Sequence, residues 1–160
     1  MIKIRLLVVG KVKEDYLKAG INEYIKRLKP YANIIINEIN DEFVNNESSV
    51  FEIEKCQKLE GEKILKLIKK EDYVIGLDLN KKEFDSISFS SYLIKSIETA
   101  NSYLTFVIGG SYGFSKEVKE RFNDSFSLSK MTFIHQMTRL ILLEQIYRGF
   151  KIYRNETYHK

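Results

Sequence analysis

Short aliphatic segments alternate with helical patterns along most of the chain, and this alternation limits the possible folds more than any other feature. The segments at 2–9, 33–39, 73–79, 103–108 and 126–128 are short runs rich in β-branched, aliphatic and aromatic residues. Helical patterns separate these runs, and no Asn-Gly or Asp-Gly turn joins two of them into a hairpin. This order predicts an α/β fold, a mostly parallel sheet with helices on both faces.

The first helix has the clearest helical spacing. Leu17, Ile21 and Leu28 recur at intervals that place them on one face of a helix. Pro30 disfavours helix at the residue before it, so this helix should end before the proline. Three further helices are predicted at 50–70, 88–100 and 115–122.

The predicted helix at 135–150 differs from the others because apolar residues surround its axis. A helix at the surface of a small domain normally has a polar side, so this pattern predicts burial on every side. One way to achieve such burial is packing against a second copy of the chain. The alternative is a central core helix in a monomer.

The length and composition favour one domain over residues 1–160. A single cysteine, Cys56, excludes an internal disulfide and is expected to be a small buried side chain. The two histidines are far apart, so no metal site is expected. The N-terminal apolar run is too short for a signal peptide and no stretch is apolar enough to cross a membrane, so we expect a soluble cytoplasmic protein.

Positive charge is concentrated at the C-terminal end. The net charge is +4, and the last 22 residues contain five Lys or Arg against two Glu. Among the last ten residues, Lys151 and Arg154 alternate with aromatic rings, a mixture that suits stacking on nucleic-acid bases. The alternative is a frayed, exposed terminus.

Three charged residues lie within the otherwise apolar last helix and need partners. Glu144 and Arg148 are four residues apart, so they can pair with each other. Arg139 has no acidic residue at that spacing, which makes it a candidate for contact with a phosphate.

Two loops that follow predicted strands are candidates for ligand binding, because doubly wound sheets bind ligands at the carboxyl ends of their strands. The first, at 108–115, contains three glycines and ends at Ser115, a suitable helix cap. The second, at 127–135, mixes polar and apolar residues and suits a flat heterocycle. Neither has the spacing of a phosphate loop or a dinucleotide motif. Either loop is also compatible with an ordinary connection.

Three segments together closely resemble the RlmH family of SPOUT methyltransferases. They are FVIGGSYG at 106–113, LSKMTFIHQMTRLILLEQIYR at 128–148 and YHK at 158–160. The length, the order of elements and the opening of the chain also fit, so the resemblance covers essentially the whole chain. It implies a SPOUT-type α/β knot with a C-terminal trefoil knot. It also implies a homodimer that transfers a methyl group from S-adenosylmethionine to N3 of a pseudouridine in large-subunit (23S) ribosomal RNA, within the ribosome.

The resemblance carries over to individual positions. It assigns substrate placement and possible proton removal to Tyr158 and His159, and stabilisation of a phosphate or anion to Arg148. RNA contacts are expected at Arg139, Lys151 and Arg154, and no metal is implied. We further expect the tail of one subunit to complete the other subunit's pocket. The residues implied in binding the methyl donor are Leu77, Gly109, Leu128, Ser129, Lys130, Met131, Thr132 and Phe133.

Two other functions remain compatible with the sequence. One is an RNA-binding module that keeps the fold without methyl transfer. The other is a SPOUT enzyme acting on transfer RNA or on another ribosomal position, since a fold does not determine its target. Nucleotide hydrolysis is disfavoured because the lysine of a phosphate loop is missing.

Overall fold

Strands and helices alternate from the first strand to the last helix, and the computed structural model describes residues 1–160. The elements are β1 (Lys3–Val9), α1 (Asp15–Leu28), β2 (Asn33–Ile39), α2 (Val50–Lys66), β3 (Tyr73–Leu77), α3 (Ser86–Thr99), β4 (Tyr103–Ile108), α4 (Lys116–Arg121), β5 (Asp124–Phe126) and α5 (His135–Tyr153).

The five strands form one sheet in the order β2-β1-β4-β3-β5, and all neighbouring strands are parallel. The predicted parallel α/β sheet is therefore confirmed. Parallel strands present their carboxyl ends at the same edge, so the loops after the neighbouring strands β4, β3 and β5 lie close together.

Helices cover both faces of the sheet, as predicted. In β1, Ile4, Leu6 and Val8 belong to the larger core cluster, which includes residues of α1, α3 and α5. Leu7 and Val9 belong to the smaller cluster, which includes residues of α2 and α4. A strand buried on both faces needs apolar residues at successive positions, which explains the continuous aliphatic run in β1.

The second helix is shorter than predicted, because it ends at Lys66 rather than near residue 70. The buried Arg5 side chain donates to the Leu67 carbonyl at 2.9 Å and pairs with Asp72 at 2.9 Å. These contacts hold the connection between α2 and β3 against β1. The signal that ends the helix is thus a tertiary contact from a strand more than 60 residues earlier.

The last helix buries one face and leaves the other partly open. It packs against α1 and α3, and its fully buried residues are Arg139, Leu142, Leu143, Ile146, Gly149 and Phe150. Met137, Ile141 and Tyr147 are only half-buried. The alternative of a central core helix in a monomer is therefore wrong, because α1 and α3 cover only the inner side, and packing against a second copy stays a prediction.

Arg139 has a structural partner that its own helix does not supply. Its side chain is 2% exposed, and its Nη1 lies 2.9 Å from Oε2 of Glu38 at the end of β2. Its Nη2 donates to the carbonyl of Gly10 at 3.1 Å. The structure therefore contradicts the predicted phosphate contact of Arg139, because the guanidinium is buried and already paired.

Cys56 is buried as predicted, and burial raises the pKa of its thiol to about 11. No cluster of three or more His, Cys, Asp or Glu side chains is arranged to hold a metal ion. None of the helices has both the length and the apolar character needed to cross a membrane. The C-terminal trefoil knot stays a prediction.

Candidate active site

The loops after β3, β4 and β5 enclose a cleft of about 570 Å³, which we call the glycine-loop cleft. Its walls come from residues 77–80, 108–114, 128–129, 131–135 and 138, together with Gln57 of α2 and Lys119 of α4. Seven of the eight residues expected to bind the methyl donor line it, namely Leu77, Gly109, Leu128, Ser129, Met131, Thr132 and Phe133. Lys130 is exposed and does not line the cleft.

Glycines are required in the loop after β4 because its backbone packs closely against neighbouring side chains. A Cβ atom at Gly109 would lie 2.9 Å from the Phe114 ring, and one at Gly110 would lie 2.9 Å from Oε1 of Glu60. Gly113 has a φ of +77°, a conformation that side chains disfavour. The Gly113 N–H donates to the Gly110 carbonyl at 3.2 Å and closes a tight turn. The loop therefore presents backbone to the cleft.

The segment after β5 is tied to the loop after β3 through Ser127. The Ser127 hydroxyl donates to the Asp78 carbonyl at 2.5 Å and accepts from the Lys81 N–H at 3.0 Å. Beyond this anchor, Met131 is 74% exposed and Ile134 is 59% exposed. Large apolar side chains grouped at a cleft in this way indicate a surface that is covered by a ligand or a partner.

Several residues of the cleft were not singled out from the sequence. Asp78 and Asn80 follow β3, and Asn80 has a φ of +60°, which indicates a tight turn. Asp78 lies 3.6 Å from Lys119 of α4. The predicted strand at 73–79 extends past the end of β3 at Leu77, so it includes Asp78. Only Asn80 follows the predicted strand directly, the position that selected the other two loops.

His135 also lines the cleft, at the start of α5. Its ring packs so closely on Gly10 that a Cβ there would lie 2.4 Å from the ring nitrogen Nε2. Burial, and then the positive charge of Arg139, lower the pKa of His135. The imidazole is therefore neutral at pH 7 and packs as a polar ring in the wall of the cleft.

The C-terminal tail is ordered against its own subunit. The Tyr158 hydroxyl donates to Oε1 of Glu144 at 3.0 Å and lies 3.1 Å from the hydroxyl of Tyr24 on α1. The guanidinium of Arg148 lies 4.6 Å from the centre of the Tyr158 ring and donates from Nε to Glu144 at 3.1 Å. The predicted pair of Glu144 and Arg148 is confirmed, and Tyr158 is not part of a frayed terminus.

Hydrogen bonding determines which groups of this cluster carry protons. Burial, together with hydrogen bonds to Tyr24 and Glu144, raises the pKa of Tyr158, so its hydroxyl stays protonated. The Nδ1 atom of His159 lies 3.2 Å from Nη1 of Arg148. A guanidinium only donates, so Nδ1 accepts and the neutral ring carries its hydrogen on Nε2. In this arrangement the Tyr158 hydroxyl donates to Glu144, and proton removal by Tyr158 or His159 stays a prediction.

Lys151 and Arg154, two basic residues that were predicted to contact RNA, differ in their partners. Lys151 Nζ lies 2.7 Å from Glu156 Oε2, and this hydrogen bond, the largest contribution, raises the pKa of Lys151. Arg154 is exposed, stacks 4.7 Å above the ring of Tyr31 and makes no ion pair. Arg154 is therefore the more available of the two for a phosphate.

His159 does not line the glycine-loop cleft of its own subunit. It lines a second cavity of about 510 Å³ between α3 and α5, which has Leu128, Ser129 and Phe133 in common with the cleft. The residues predicted to bind the methyl donor, except Lys130, are thus brought together in one cleft. The predicted catalytic residues form a separate cluster beside it.

A parallel α/β sheet with a cleft at the carboxyl ends of its strands is the arrangement of a small-molecule-binding enzyme. A family model described as "Predicted SPOUT methyltransferase" matches residues 2–159, and the chain belongs to this family.

Its relatives narrow the assignment within that class. The chain is 49% identical over 158 residues to a protein of Carboxydothermus hydrogenoformans, covering 99% of both chains. It is 47% identical to a protein of Halothermothrix orenii, again covering 99% of both, and 47% identical to one of Clostridium acetobutylicum, covering 98% of this chain and 99% of that one. All three relatives are named Ribosomal RNA large subunit methyltransferase H.

The fold was also compared with solved structures. A probable methylase family protein from Haemophilus influenzae aligns with a TM-score of 0.48 and 11% identity, over 95% of this chain and 66% of that chain. The family assignment depends on the sequence matches, not on this distant similarity.

Proposed function

We propose that the protein transfers a methyl group from S-adenosylmethionine to N3 of a pseudouridine in large-subunit ribosomal RNA, and that it acts as a homodimer. The observation that carries the proposal is the glycine-loop cleft, lined by seven of the eight residues implied in donor binding. The names of the relatives supply the RNA target. A ribosomal target implies that the protein acts in the cytoplasm.

The walls of the cleft fit the proposed donor. The exposed side chains of Met131 and Phe133 provide apolar surface for a flat adenine ring, and bare glycine backbone provides hydrogen-bonding groups for polar edges. Leu77, Gly109 and the residues of the segment 128–133 other than Lys130 would hold the donor. When bound, S-adenosylmethionine supplies a methyl group on a positively charged sulfur.

The acceptor nitrogen must lose its proton, which passes to solvent water, and this leaves negative charge on the base until the methyl group is transferred and S-adenosylhomocysteine leaves. The C-terminal cluster supports stabilisation of that charge rather than removal of the proton. His159 donates from Nε2, and Arg148 carries a permanent positive charge beside it. Donors held in place before the reaction stabilise developing charge effectively, because they need no reorganisation.

Apolar surface near the cleft supports the homodimer. Met131 and Ile134 are exposed just before α5, and Met137 and Ile141 continue this surface along the outer face of the helix. We infer that a second copy covers this surface. Because His159 lies outside its own cleft, we also infer that the tail of each subunit serves the cleft of its partner.

The first test of the proposal is a calorimetric titration with S-adenosylmethionine. We expect saturable binding in the wild type and no binding in Gly109→Arg, because the new side chain would clash with the Phe114 ring and distort the wall of the cleft. Lys116→Ala is the control, since its side chain is 85% exposed on α4. Thermal melting of both variants checks that they fold.

Methylation of ribosomal RNA with and without the pseudouridine then tests the acceptor. Transfer only to the pseudouridine-containing RNA is the expected result. Absence of donor binding in the wild type, both alone and with ribosomes, would contradict the proposal and favour an RNA-binding module. Transfer to RNA lacking pseudouridine would contradict the proposed acceptor alone.

A further inference from the structure

One face of α2 packs against the loop at 108–115, which we call the glycine loop. Gln57 donates from Nε2 to the carbonyl of Tyr112 at 2.7 Å. One turn later, a Cβ at Gly61 would lie 2.6 Å from Oγ of Ser115, the residue that caps α4. Glu60 lies between these two contacts on the same face, because residues three and four apart are neighbours on a helix.

Glu60 is a carboxylic acid with one satisfied and one unsatisfied oxygen. Its side chain is 3% exposed, and Oε2 accepts from the N–H of Glu42 at 2.9 Å. Oε1 is fully buried and has no hydrogen-bond partner. It points at the glycine loop, since a Cβ on Gly110 would lie 2.9 Å from it. A buried acceptor without a donor is costly, so this oxygen requires an explanation.

The glycine loop holds the complementary groups. Neither Ser111 nor Tyr112 uses its backbone N–H in a hydrogen bond within the chain, and the turn is closed only by the bond from Gly113 to Gly110. An unsatisfied buried acceptor therefore lies directly beneath a loop with unused donors. A rearrangement of the loop that turns one of these N–H groups toward Oε1 would satisfy both.

We propose that Glu60 is a positioning residue for the methyl donor: Oε1 accepts a hydrogen bond from a backbone N–H of the glycine loop when the loop closes on the bound donor. This inference rests on the proposed function, because it assigns the glycine loop to donor binding. Glu60 acts through the loop, since its side chain does not line the cleft.

The charged surroundings of Glu60 make the proposal sensitive to pH. Asp41 and Glu42 face it from the loop before α2, Cys56 lies one turn earlier on its own helix, and the ring of Tyr112 belongs to the glycine loop. The carboxylate of Glu42 is itself paired with Lys63 at 2.6 Å. Burial is the main reason that the pKa of Glu60 is raised above that of an exposed glutamate.

The pH dependence of donor affinity follows from these groups. Accepting two backbone N–H groups favours the ionised form, so donor binding releases a proton from Glu60. We expect donor affinity to increase as the pH rises through the raised pKa of Glu60, because the bound state holds fewer protons.

Two substitutions of Glu60 test the proposal by calorimetric titration with S-adenosylmethionine. Glu60→Met keeps the length of the side chain but has no acceptor, and we expect it to weaken donor binding about tenfold, as for loss of one hydrogen bond to a charged group. Glu60→Gln keeps one acceptor oxygen, which the Glu42 N–H already uses, and its NH2 group only donates. We therefore expect it to weaken donor binding about as much as Glu60→Met and to remove the pH dependence. Glu62→Gln, an exposed position on the same helix, is the matched control.

A merely structural role is distinguished by the pH profile and by melting. Lower thermal stability in Glu60→Met with wild-type donor affinity would overturn the proposal, as would a pH dependence that persists in Glu60→Gln. If the wild type binds no donor, the proposed function fails instead. Wild-type binding with unaffected Glu60 variants refutes this inference alone.

Discussion

Three arginines in the C-terminal third of the chain have different roles because their burial differs. Arg139 is buried and paired with Glu38, so it links α5 to the end of β2. Arg148 is half-buried beside Glu144 and beneath the tail. Arg154 is exposed and has no acidic partner. Position in the sequence does not separate these roles, since all three are basic residues in or next to one helix.

Substitution of Arg139 should therefore change the stability of the protein, and substitution of Arg154 should change its binding to RNA. We expect Arg139→Ala to lower the free energy of unfolding by about 3 kcal/mol, because it removes a buried ion-pair partner and leaves a void. Arg154→Ala should leave stability unchanged and reduce the salt dependence of RNA binding by about one phosphate contact. Urea denaturation and RNA binding at several salt concentrations measure the two effects. A reduced salt dependence in Arg139→Ala would contradict the buried role.

The last helix and the tail that follows it form one structural unit. After α5, Asn155 adopts a φ of +55°, and the Glu156 N–H donates to the Lys151 carbonyl at 2.9 Å. This turn reverses the chain, so that the Tyr158 ring packs edge-on against Tyr147 at 4.8 Å. The tail therefore returns along its own helix, and α5 determines where the predicted catalytic residues lie.

Removal of residues 158–160 should separate donor binding from turnover. We expect the truncated protein to bind S-adenosylmethionine as the wild type does, because no residue of the tail lines the glycine-loop cleft. Methyl transfer to ribosomal RNA should fall at least a hundredfold, the scale for losing an electrostatic stabiliser of the reacting group. Unchanged methylation by the truncated protein would show that the tail has no catalytic role.

Tyr158→Phe removes only the hydroxyl of this residue. We expect it to lower the free energy of unfolding by about 1 kcal/mol through the lost hydrogen bond to Glu144.

At the scale of the whole molecule, the cleft and the C-terminal cluster around Arg148 and Tyr158 are two parts that the proposed dimer would combine. The cleft is built from the loops at one edge of the sheet, while the cluster lies on α1, α5 and the tail. Exposed apolar residues adjoin both parts at the start of α5. A symmetric dimer through this surface would place each cluster opposite a partner surface.

Mixing two inactive variants tests this arrangement. Gly109→Arg cannot bind S-adenosylmethionine, and His159→Ala lacks the imidazole that is proposed to stabilise the reacting base. Each homodimer should therefore be inactive. After subunit exchange, a mixed dimer contains one intact cleft and one intact tail on different chains. We expect recovery of about a quarter of wild-type methyl transfer, because half of the dimers are mixed and each has one complete site. No recovery, with exchange verified by mass spectrometry, would mean that each tail serves its own subunit.

Local pattern was sufficient for the elements and for the position of the candidate donor site. The bounds of β2 and β4 agree with the sequence prediction, and α1 ends before Pro30 as expected. The two ligand loops were identifiable because parallel strands bring their carboxyl ends together. The helix cap at Ser115, which accepts from the Val118 N–H, was likewise readable from residue type.

Contacts between residues distant in sequence account for what the pattern missed. The end of α2 depends on Arg5 of β1, and the partner of Arg139 lies 101 residues away on β2. The open side of α5 depends on how α1 and α3 cover it. The support of Glu60 for the glycine loop likewise has no local signature.

The sequence by itself determined the order of strands and helices, the parallel sheet and the family, because periodicity, turn residues and motifs are local properties of the chain. Only the tertiary structure decided which charged side chains are neutralised in the interior and which groups of the tail donate hydrogen bonds. The reason is that burial and hydrogen-bond partners depend on which segments meet in space, and in this fold the decisive segments are far apart along the chain.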